Sequence, residues 1–270
     1  MSTAPDFVAL TTPTRIADGE FTIDIPDGWQ QGRGAFGGLV LSCLLRAALA
    51  CEPEAERTLR SLTAELVGPV LPGAALLRVE VLRRGSGVST LAARLLQGSE
   101  LLAHAVVVLG RARAGTTSWN RLSPPAPPPP HAVAPLAQMP IGAARFAQFV
   151  EFRPTLPMPF QSETPRVPLT AGWVRLRCAP PVLGPVELVA LADAWWPGAL
   201  AMEAAPRPIA TIAFTCELLA DPARLRPHAA VFHRAEAVAA QDGYSVELRE
   251  LWSEDGELLT LNQQTIAIIK

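Results

Sequence analysis

The sequence predicts an α+β protein in which one helix-plus-sheet unit occurs twice. Three observations support this fold class. A Gly-rich turn leads into an apolar helix, four strand-like segments follow that helix, and short motifs of the first half recur in the second. A Pro-rich segment, Leu122–Pro135, separates the halves and favours an extended conformation. The predicted organisation is a first repeat over 1–114, a linker over 115–145 and a second repeat over 146–270.

The composition indicates a globular chain with a large core. Of 270 residues 49% are hydrophobic, and the net charge of -2 with no basic patch argues against nucleic acid as a partner. Pro, Gly or charge interrupts every apolar run, so no membrane span is expected. The N-terminus lacks a basic signal-peptide region, and the four cysteines lack metal-ligand spacing. We therefore expect a cytoplasmic protein without a metal or other cofactor.

The first half opens with a short strand and the Gly-rich turn. Residues 21–26 alternate apolar and polar side chains, and Gly37 and Gly38 then precede the apolar run Leu39–Ala50. The amides at the start of such a helix can hold an anion or an oxyanion. Alternatively, the glycines only let the helix pack closely against a sheet.

Four strand-like segments follow this helix and are separated by turn residues. They span residues 61–70, 75–85, 88–97 and 100–110. The PG, GSG and GSE sequences between them are typical of turns in an antiparallel meander. A buried helix followed by such a meander predicts a sheet wrapped around a helix.

Two motifs of the first half return in the second at nearly equal spacing. Residues 87–89 (GVS) recur at 243–245 (GYS), and 243 − 87 = 156. Residues 100–102 (ELL) recur at 257–259, and 257 − 100 = 157. Equal spacing in the same order predicts two copies of one unit. A ligand site is then expected between the units, near the helix N-termini.

The stretch Leu188–Glu203 is almost wholly apolar but has a carboxylate, Asp193, at its centre, followed by Trp195 and Trp196. A buried Asp is costly unless it is hydrogen-bonded. It either caps a helix or turn through backbone amides or performs chemistry. Pairing the two helices by Gly38 and Asp193 gives 193 − 38 = 155. On this pairing the fold does not require an acid, which favours the catalytic interpretation.

A second polar position lies in the last strand. The repeat spacing puts Gln264 opposite Val107, within a strand whose polar residues interrupt both faces. A buried Gln needs hydrogen-bond partners for both ends of its amide. The second half is therefore predicted to hold a polar cluster that the first half lacks, giving one functional site per chain.

These stretches resemble the acyl-CoA thioesterase II family, which has a double hotdog fold. The resemblance rests on GRGAFGGLVLSCLLRAA, the following strand region to SELL, LADAW, PIATIAF and DGELLTLNQQ. In that family an Asp, a Thr or Ser, and a Gln position a water that attacks the thioester carbonyl. The resemblance assigns these roles to Asp193, Thr211 and Gln264, with Thr215 and Gln263 as competitors. The chain departs from the family pattern at Ala213 and Phe214, where an Asp-His pair is typical.

The resemblance implies hydrolysis of an acyl-CoA to a free acid and CoA. The amides near Gly37 and Gly38, or those of a helix start near Asp193, would bind the oxyanion. Trp195 and Trp196 are candidate substrate-binding residues, although both also fit a plain core. A homo-oligomer, a dimer or larger, is expected because hotdog sheets expose edges.

Two other functions are compatible with the same fold. The first is a non-catalytic acyl-CoA-binding or interaction protein. The second is a hotdog hydratase or dehydratase, which needs a His beside an acid. His104, on the segment at 100–110, is the His predicted to lie on a core strand.

Overall fold

The protein is described by a computed structural model covering residues 6–137, 144–160 and 167–269. Within those residues the α-helices are α1 (Phe7–Thr11), α2 (Gly37–Ala50) and α3 (Pro185–Asp193). Short 3-10 segments occupy Pro130–Ala132, Arg145–Phe149, Gly198–Met202 and Pro222–Arg224. None of the helices in this part of the chain is long and apolar enough to cross a membrane.

The strands of the first half are β1 (Thr14–Ala17), β2 (Glu20–Ile25), β3 (Gln30–Gln31), β4 (Gly34–Ala35), β5 (Thr58–Leu66), β6 (Gly73–Arg84), β7 (Val88–Gln97) and β8 (Glu100–Gly110). Those of the second half are β9 (Val150–Pro154), β10 (Leu169–Leu176), β11 (Ile209–Leu218), β12 (Val231–Gln241), β13 (Tyr244–Trp252) and β14 (Leu258–Ile268). The five strands predicted in the first half are confirmed as β2 and β5 to β8. The Gly-rich turn forms the small β3–β4 hairpin, and the predicted helix follows it as α2.

One antiparallel sheet of 12 strands forms the body of the molecule, in the order β1-β2-β6-β7-β8-β5-β11-β14-β13-β12-β10-β9. The two halves meet at β5 and β11, and the strand order read outwards from this junction corresponds in the two directions. Three bulges of each half correspond as well. Their extra residues are Arg60, Leu82 and Leu102 in the first half and Ile212, Val238 and Leu259 in the second; a further bulge at Ile16 in β1 has no counterpart in β9.

The two helices pack against each other inside this sheet and run antiparallel. The start of α2 lies at the end of α3, because a Cβ built on Gly38 would be 2.9 Å from the Ala190 carbonyl oxygen. Farther along α2, the Ser42 hydroxyl donates to the Val186 carbonyl at 3.1 Å. The helices differ in length, with 14 residues in α2 and nine in α3.

The helix of the second half lies earlier than its apolar sequence suggests. The stretch Leu188–Glu203 is not one helix, because α3 begins at Pro185 and ends at Asp193. The predicted pairing of Gly38 with Asp193 is therefore wrong: Gly38 is in the first turn of α2, whereas Asp193 is in the last turn of α3. Matching the helix starts gives 185 − 37 = 148, which makes Leu45 the counterpart of Asp193.

The Pro-rich segment lies against the outer face of the second half. The Trp173 indole donates to the Pro128 carbonyl at 2.8 Å, and the Arg153 guanidinium donates to the Val133 carbonyl at 2.7 Å. Trp173 belongs to a small apolar cluster on this face that includes Phe232 and Trp252. Residues 138–143 of the predicted linker lie outside the described part of the chain.

Candidate active site

A buried carboxylate lies where the two helices meet. Asp193 is the last residue of α3 and is 7% exposed. Its Oδ1 accepts a hydrogen bond of 3.1 Å from the Gln264 side-chain amide. The first turn of α2 lies against its other oxygen, since a Cβ built on Gly37 would be 2.6 Å from Asp193 Oδ2. The Gly38 backbone amide is close enough to lower the pKa of this carboxylate.

Gln264 connects this carboxylate to Thr211. The Thr211 hydroxyl donates to Gln264 Oε1 at 3.0 Å, so the Gln amide accepts at one end and donates at the other. Gln264 Nε2 also donates to Asn262 Oδ1 at 3.1 Å. This arrangement satisfies both ends of a fully buried amide, as a buried Gln requires. The three residues that the resemblance singles out are thus joined in one hydrogen-bonded chain.

A β-bulge selects Thr211 over Thr215. The register of β11 against β14 shifts at Ile212, so Thr211 pairs with Ile266 and Thr215 pairs with Gln263. The shift puts Thr211 on the face that carries Gln264, whereas Thr215 lies on the other face. Without the bulge the two threonines would share one face, as their sequence spacing suggests. The same parity leaves Gln263 exposed.

Burial and nearby charges act in opposite directions on Asp193. Burial raises the pKa of the carboxyl above its ordinary value and is the largest influence. The Arg249 guanidinium, the Gln264 amide and the Gly38 amide each lower this pKa, and the Glu247 carboxylate raises it. The start of α2 favours the ionised form, because helix N-termini carry partial positive charge.

Sequence reasoning missed a buried ion pair on the neighbouring strand. Arg249 Nε lies 2.6 Å from Glu247 Oε1, and both side chains are almost completely inaccessible to solvent. Arg249 also donates to the Ala192 carbonyl at 3.0 Å. A buried Glu and Arg two residues apart on β13 show that the face bearing alternate polar residues points inwards. That alternation was the available signal, although by itself it predicts an exposed face.

His233 on β12 contributes to the same region. Its Nε2 lies 3.2 Å from the Ala192 carbonyl oxygen, and its ring stacks on Trp195 with centroids 5.7 Å apart. Burial and the nearby Arg249 charge hold the pKa of His233 well below 6.5. The ring is therefore neutral at physiological pH and caps the end of α3 without adding charge.

The two tryptophans after Asp193 form an aromatic cluster with Phe152. The Trp195 ring packs edge-on against Trp196 at 5.1 Å and against Phe152 at 5.6 Å. Trp195 is 3% exposed, and none of its ring contacts in the described structure is with the Asp193–Gln264–Thr211 chain. These contacts favour a core role for Trp195 over a substrate-binding one.

The two helix starts considered as oxyanion donors lie in different places relative to Asp193. Gly37 and Gly38, at the start of α2, lie against the carboxylate. The expectation of a second helix start near Asp193 is wrong, because Asp193 ends α3. The start of α3 is at Pro185, where the Glu187 carboxylate accepts from the Gly184 amide. The α2 N-terminus is therefore the helix start available to this site.

His104 lies elsewhere and takes no part in this chain. Its Nε2 is 2.9 Å from Glu65 Oε2, and both side chains are partly exposed on the outer face of the sheet. Within the described residues no group of His, Cys, Asp or Glu side chains could hold a metal ion.

Two family models match the chain. The model described as the acyl-CoA thioesterase N-terminal domain matches residues 25–110, and that of the acyl-CoA thioesterase C-terminal domain matches residues 123–268. The search of curated proteins found no match.

Several solved structures are similar over nearly their whole length. A conserved protein of unknown function with hot dog fold from Alicyclobacillus acidocaldarius is 24% identical, with a TM-score of 0.88 and 98% of each chain covered. The acyl-CoA thioesterase II TesB2 from Mycobacterium marinum is 16% identical, with a TM-score of 0.77 and 97% and 98% covered. The tesB protein from Mycobacterium avium subs paratuberculosis is 15% identical, with a TM-score of 0.78 and 98% of each covered. These likenesses show a hotdog fold.

Proposed function

Because this chain belongs to the acyl-CoA thioesterase family, and is thus a thioester hydrolase, we propose that it hydrolyses an acyl-CoA to a free acid and CoA at Asp193, Gln264 and Thr211. One observation carries the choice of site. The hydrogen-bonded chain from Thr211 through Gln264 ends on a buried carboxylate at the start of α2. The family resemblance points to all three residues, and the polar asymmetry of the two halves points independently to Asp193 and Gln264.

In the proposed reaction Asp193 acts as the general base. The ionised carboxylate takes a proton from a water held by Thr211 and Gln264 while the water oxygen attacks the thioester carbonyl. Because Gln264 is fixed by hydrogen bonds at both ends, its orientation is set before substrate binds. Collapse of the tetrahedral intermediate breaks the C–S bond, and the proton held by Asp193 is transferred to the departing thiolate.

The start of α2 is the proposed oxyanion site. Its first two residues, Gly37 and Gly38, precede the amides of Leu39 and Val40 that donate to the Phe36 carbonyl, and Gly37 lies against the Asp193 carboxylate. Backbone amides aimed at a developing negative charge are among the strongest catalytic groups in acyl transfer. Asp193 is 7% exposed whereas Thr211 is half-buried, so the thioester would approach from the Thr211 side.

The wider organisation is proposed on the same grounds. The corresponding strand orders and bulges support a double hotdog of two tandem repeats, over 1–114 and 146–270, with one active site per chain. The exposed edge strand β1 supports assembly into a dimer or larger oligomer, which light scattering would measure. A cytoplasmic location stays a prediction.

A thiol-release assay across acyl-CoA chain lengths tests the function. The wild type is expected to release CoA, and Asp193→Ala is expected to abolish turnover while remaining folded. Glu217→Gln is the matched control, since Glu217 is a half-buried carboxylate on β11, on the face opposite Gln264. Tight binding of a non-hydrolysable acyl-CoA without turnover of any thioester would instead identify a binding protein. Full activity of Asp193→Ala would exclude the proposed site.

A further inference from the structure

A buried ion pair brackets the segment that carries Asp193. Arg249 donates to the carbonyl of Ala192, the residue before Asp193, at 3.0 Å. Its partner Glu247 accepts at 2.5 Å from the backbone amide of Gly198, where the next 3-10 segment begins. One rigid pair on β13 therefore holds the chain on both sides of residues 193–197.

Most polar atoms of this ion pair have a hydrogen-bond partner. Arg249 Nε contacts Glu247 Oε1 at 2.6 Å, Arg249 Nη1 binds the end of α3, and Glu247 Oε2 binds Gly198. Hydrogen bonds of this kind are needed to offset the large desolvation penalty of a buried pair. Such a pair fixes geometry more than it adds stability, since breaking either contact leaves a buried charge unpaired.

We infer that Arg249 and Glu247 are positioning residues for Asp193: by binding the Ala192 carbonyl and the Gly198 amide, they hold the backbone in place on both sides of it. This inference rests on the proposed function, in which Asp193 is the base. Neither residue touches the proposed water or thioester, so both act through Asp193.

The charges around Asp193 support this role. Arg249 and Glu247 act on it from β13, and the neutral His233 ring of β12 contacts the carbonyl oxygen of the preceding residue, Ala192. The facing groups of β11, β14 and the first turn of α2 are uncharged, namely Thr211, Asn262, Gln264 and backbone amides. The Arg46–Glu187 ion pair lies towards the other end of α3. Among the described residues, Arg249 is thus the cation that faces the buried carboxylate.

The first half shows that the fold does not require this pair. Aligning β7 with β13 by their bulges makes Leu91 the counterpart of Glu247 and Ala93 the counterpart of Arg249. Both are fully buried apolar residues. The same strand position is therefore built without charge in one half, and the pair occurs in the half with the proposed base.

The decisive variant removes both charges together, as Glu247→Gln with Arg249→Met, so that no lone buried charge is left. We expect a folded protein whose kcat falls about 10- to 100-fold because Asp193 is misplaced, with KM within about twofold of wild type. We also expect the acid limb of the kcat–pH profile to move to higher pH, because Arg249 lowers the pKa of Asp193 more than Glu247 raises it. Arg249→Lys keeps the charge, so the acid limb of its kcat–pH profile should lie close to that of the wild type.

Arg234→Met is the control for loss of an arginine. Arg234 is on the outer face of β12 and pairs with Glu236 and Glu250 at the surface, so its loss should leave the acid limb unchanged. A ¹³C NMR titration of Asp-labelled protein reads the Asp193 carboxyl directly, with Asp193→Asn identifying its signal. An unchanged Asp193 midpoint and kcat in the folded double variant would overturn the inference. A shifted midpoint in a protein that hydrolyses no thioester would reject the function and leave the positioning role standing.

Discussion

The two halves of this protein share a backbone plan but differ in what their inner face carries. Strand order and three bulges correspond, so each inward position of one half has a counterpart in the other. The second half turns polar side chains inwards at His233, Glu247, Arg249, Asn262 and Gln264. The counterparts in the first half are Leu77, Leu91, Ala93, Ala105 and Val107, all buried. A packed apolar face is therefore sufficient for this architecture.

The proposed base, Asp193, and Thr211 also have buried apolar residues as their counterparts in the first half. Asp193 has Leu45 as its counterpart, and the corresponding bulges at Arg60 and Ile212 make Leu59 the counterpart of Thr211. Both leucines are fully buried. The polar residues of the second half carry a desolvation cost that the first half avoids, which indicates that they are present for chemistry and not for folding.

The sharpest test of this contrast is to remove the carboxylate alone. Asp193→Asn keeps the size and shape of the side chain but removes the base, so kcat/KM should fall about 10²- to 10⁴-fold. Steady-state thiol release measures the change, and circular dichroism checks the fold. Turnover within about twofold of wild type would mean that the difference between the halves is not catalytic.

A second test replaces the polar site residues, one at a time, by the apolar residues that stand at the corresponding positions of the first half. Gln264→Val and Thr211→Leu should each lower kcat/KM about 10- to 100-fold, because the hydrogen-bonded chain to Asp193 is broken. Thr215→Val and Gln263→Val, on the outer face, are the matched controls and should stay within about twofold. A larger effect from the outer-face pair would contradict the bulge assignment.

Gly37 tests how closely α2 must approach the carboxylate. A Cβ here would lie 2.6 Å from Asp193 Oδ2, so Gly37→Ala should push the carboxylate aside and lower kcat about tenfold. Gly87→Ala, where a Cβ meets nothing within 4 Å, is the control and should have no effect. Equal kcat values for the two variants would show that the start of α2 takes no part in the reaction.

The cost of the buried acid can be measured as stability. The pKa of Asp193 is raised in the folded protein, so the unfolding free energy that it contributes is present at low pH and is lost as pH rises through the folded pKa. Asp193→Asn should therefore raise Tm at pH 7 and have little effect near pH 4. Each unit of pKa elevation corresponds to about 1.4 kcal/mol. Calorimetry at the two pH values measures the difference, and a lower Tm at pH 7 would contradict it.

The smallest expected effect concerns His233, whose counterpart is Leu77. Its pKa lies well below 6.5 when folded, so stability is full above pH 6.5 and falls as pH drops below it, because the unfolded chain binds the proton first. His233→Leu should flatten this acid dependence of Tm while changing Tm at pH 8 little. A Tm profile below pH 6.5 that is identical to wild type would show that His233 is not buried as a neutral ring.

Much of this site was predictable from the sequence because its polar residues stand out within otherwise apolar segments. Asp193 interrupts an apolar stretch, and Gln264 interrupts a strand whose counterpart reads AVVV around the matching position, Val107. The turn residues between strand-like segments predicted β7 and β8 at their observed limits. These features depend on local composition and spacing, which the chain displays directly.

The end of α3 and the choice of Thr211 could not be obtained in the same way. Leu188–Glu203 is apolar throughout, so its composition does not indicate that the helix stops at Asp193. The bulge at Ile212 depends on how β11 pairs with β14, and it reverses the face on which Thr211 lies relative to Thr215.

Strand β13 shows most clearly where sequence reasoning fails. Its spacing puts Val246 and Leu248 on one face and Glu247 and Arg249 on the other, and a half-buried strand would be expected to turn the apolar face inwards. The structure does the opposite: Glu247 and Arg249 are buried, and Leu248 is 46% exposed. The apolar pattern is overridden because the inward charges bind the end of α3 and the Gly198 amide.

The sequence by itself therefore determined the helix and main strands of the first half, the recurrence of its short motifs and the presence of an acid and an amide in the second half. The tertiary structure decided which atoms meet. It placed Asp193 at the end of one helix and against the start of the other, turned Thr211 inwards through a bulge and buried Arg249 beside them. The physical reason is that strand faces and helix ends are selected by pairing register and by long-range hydrogen bonds, which no local pattern records.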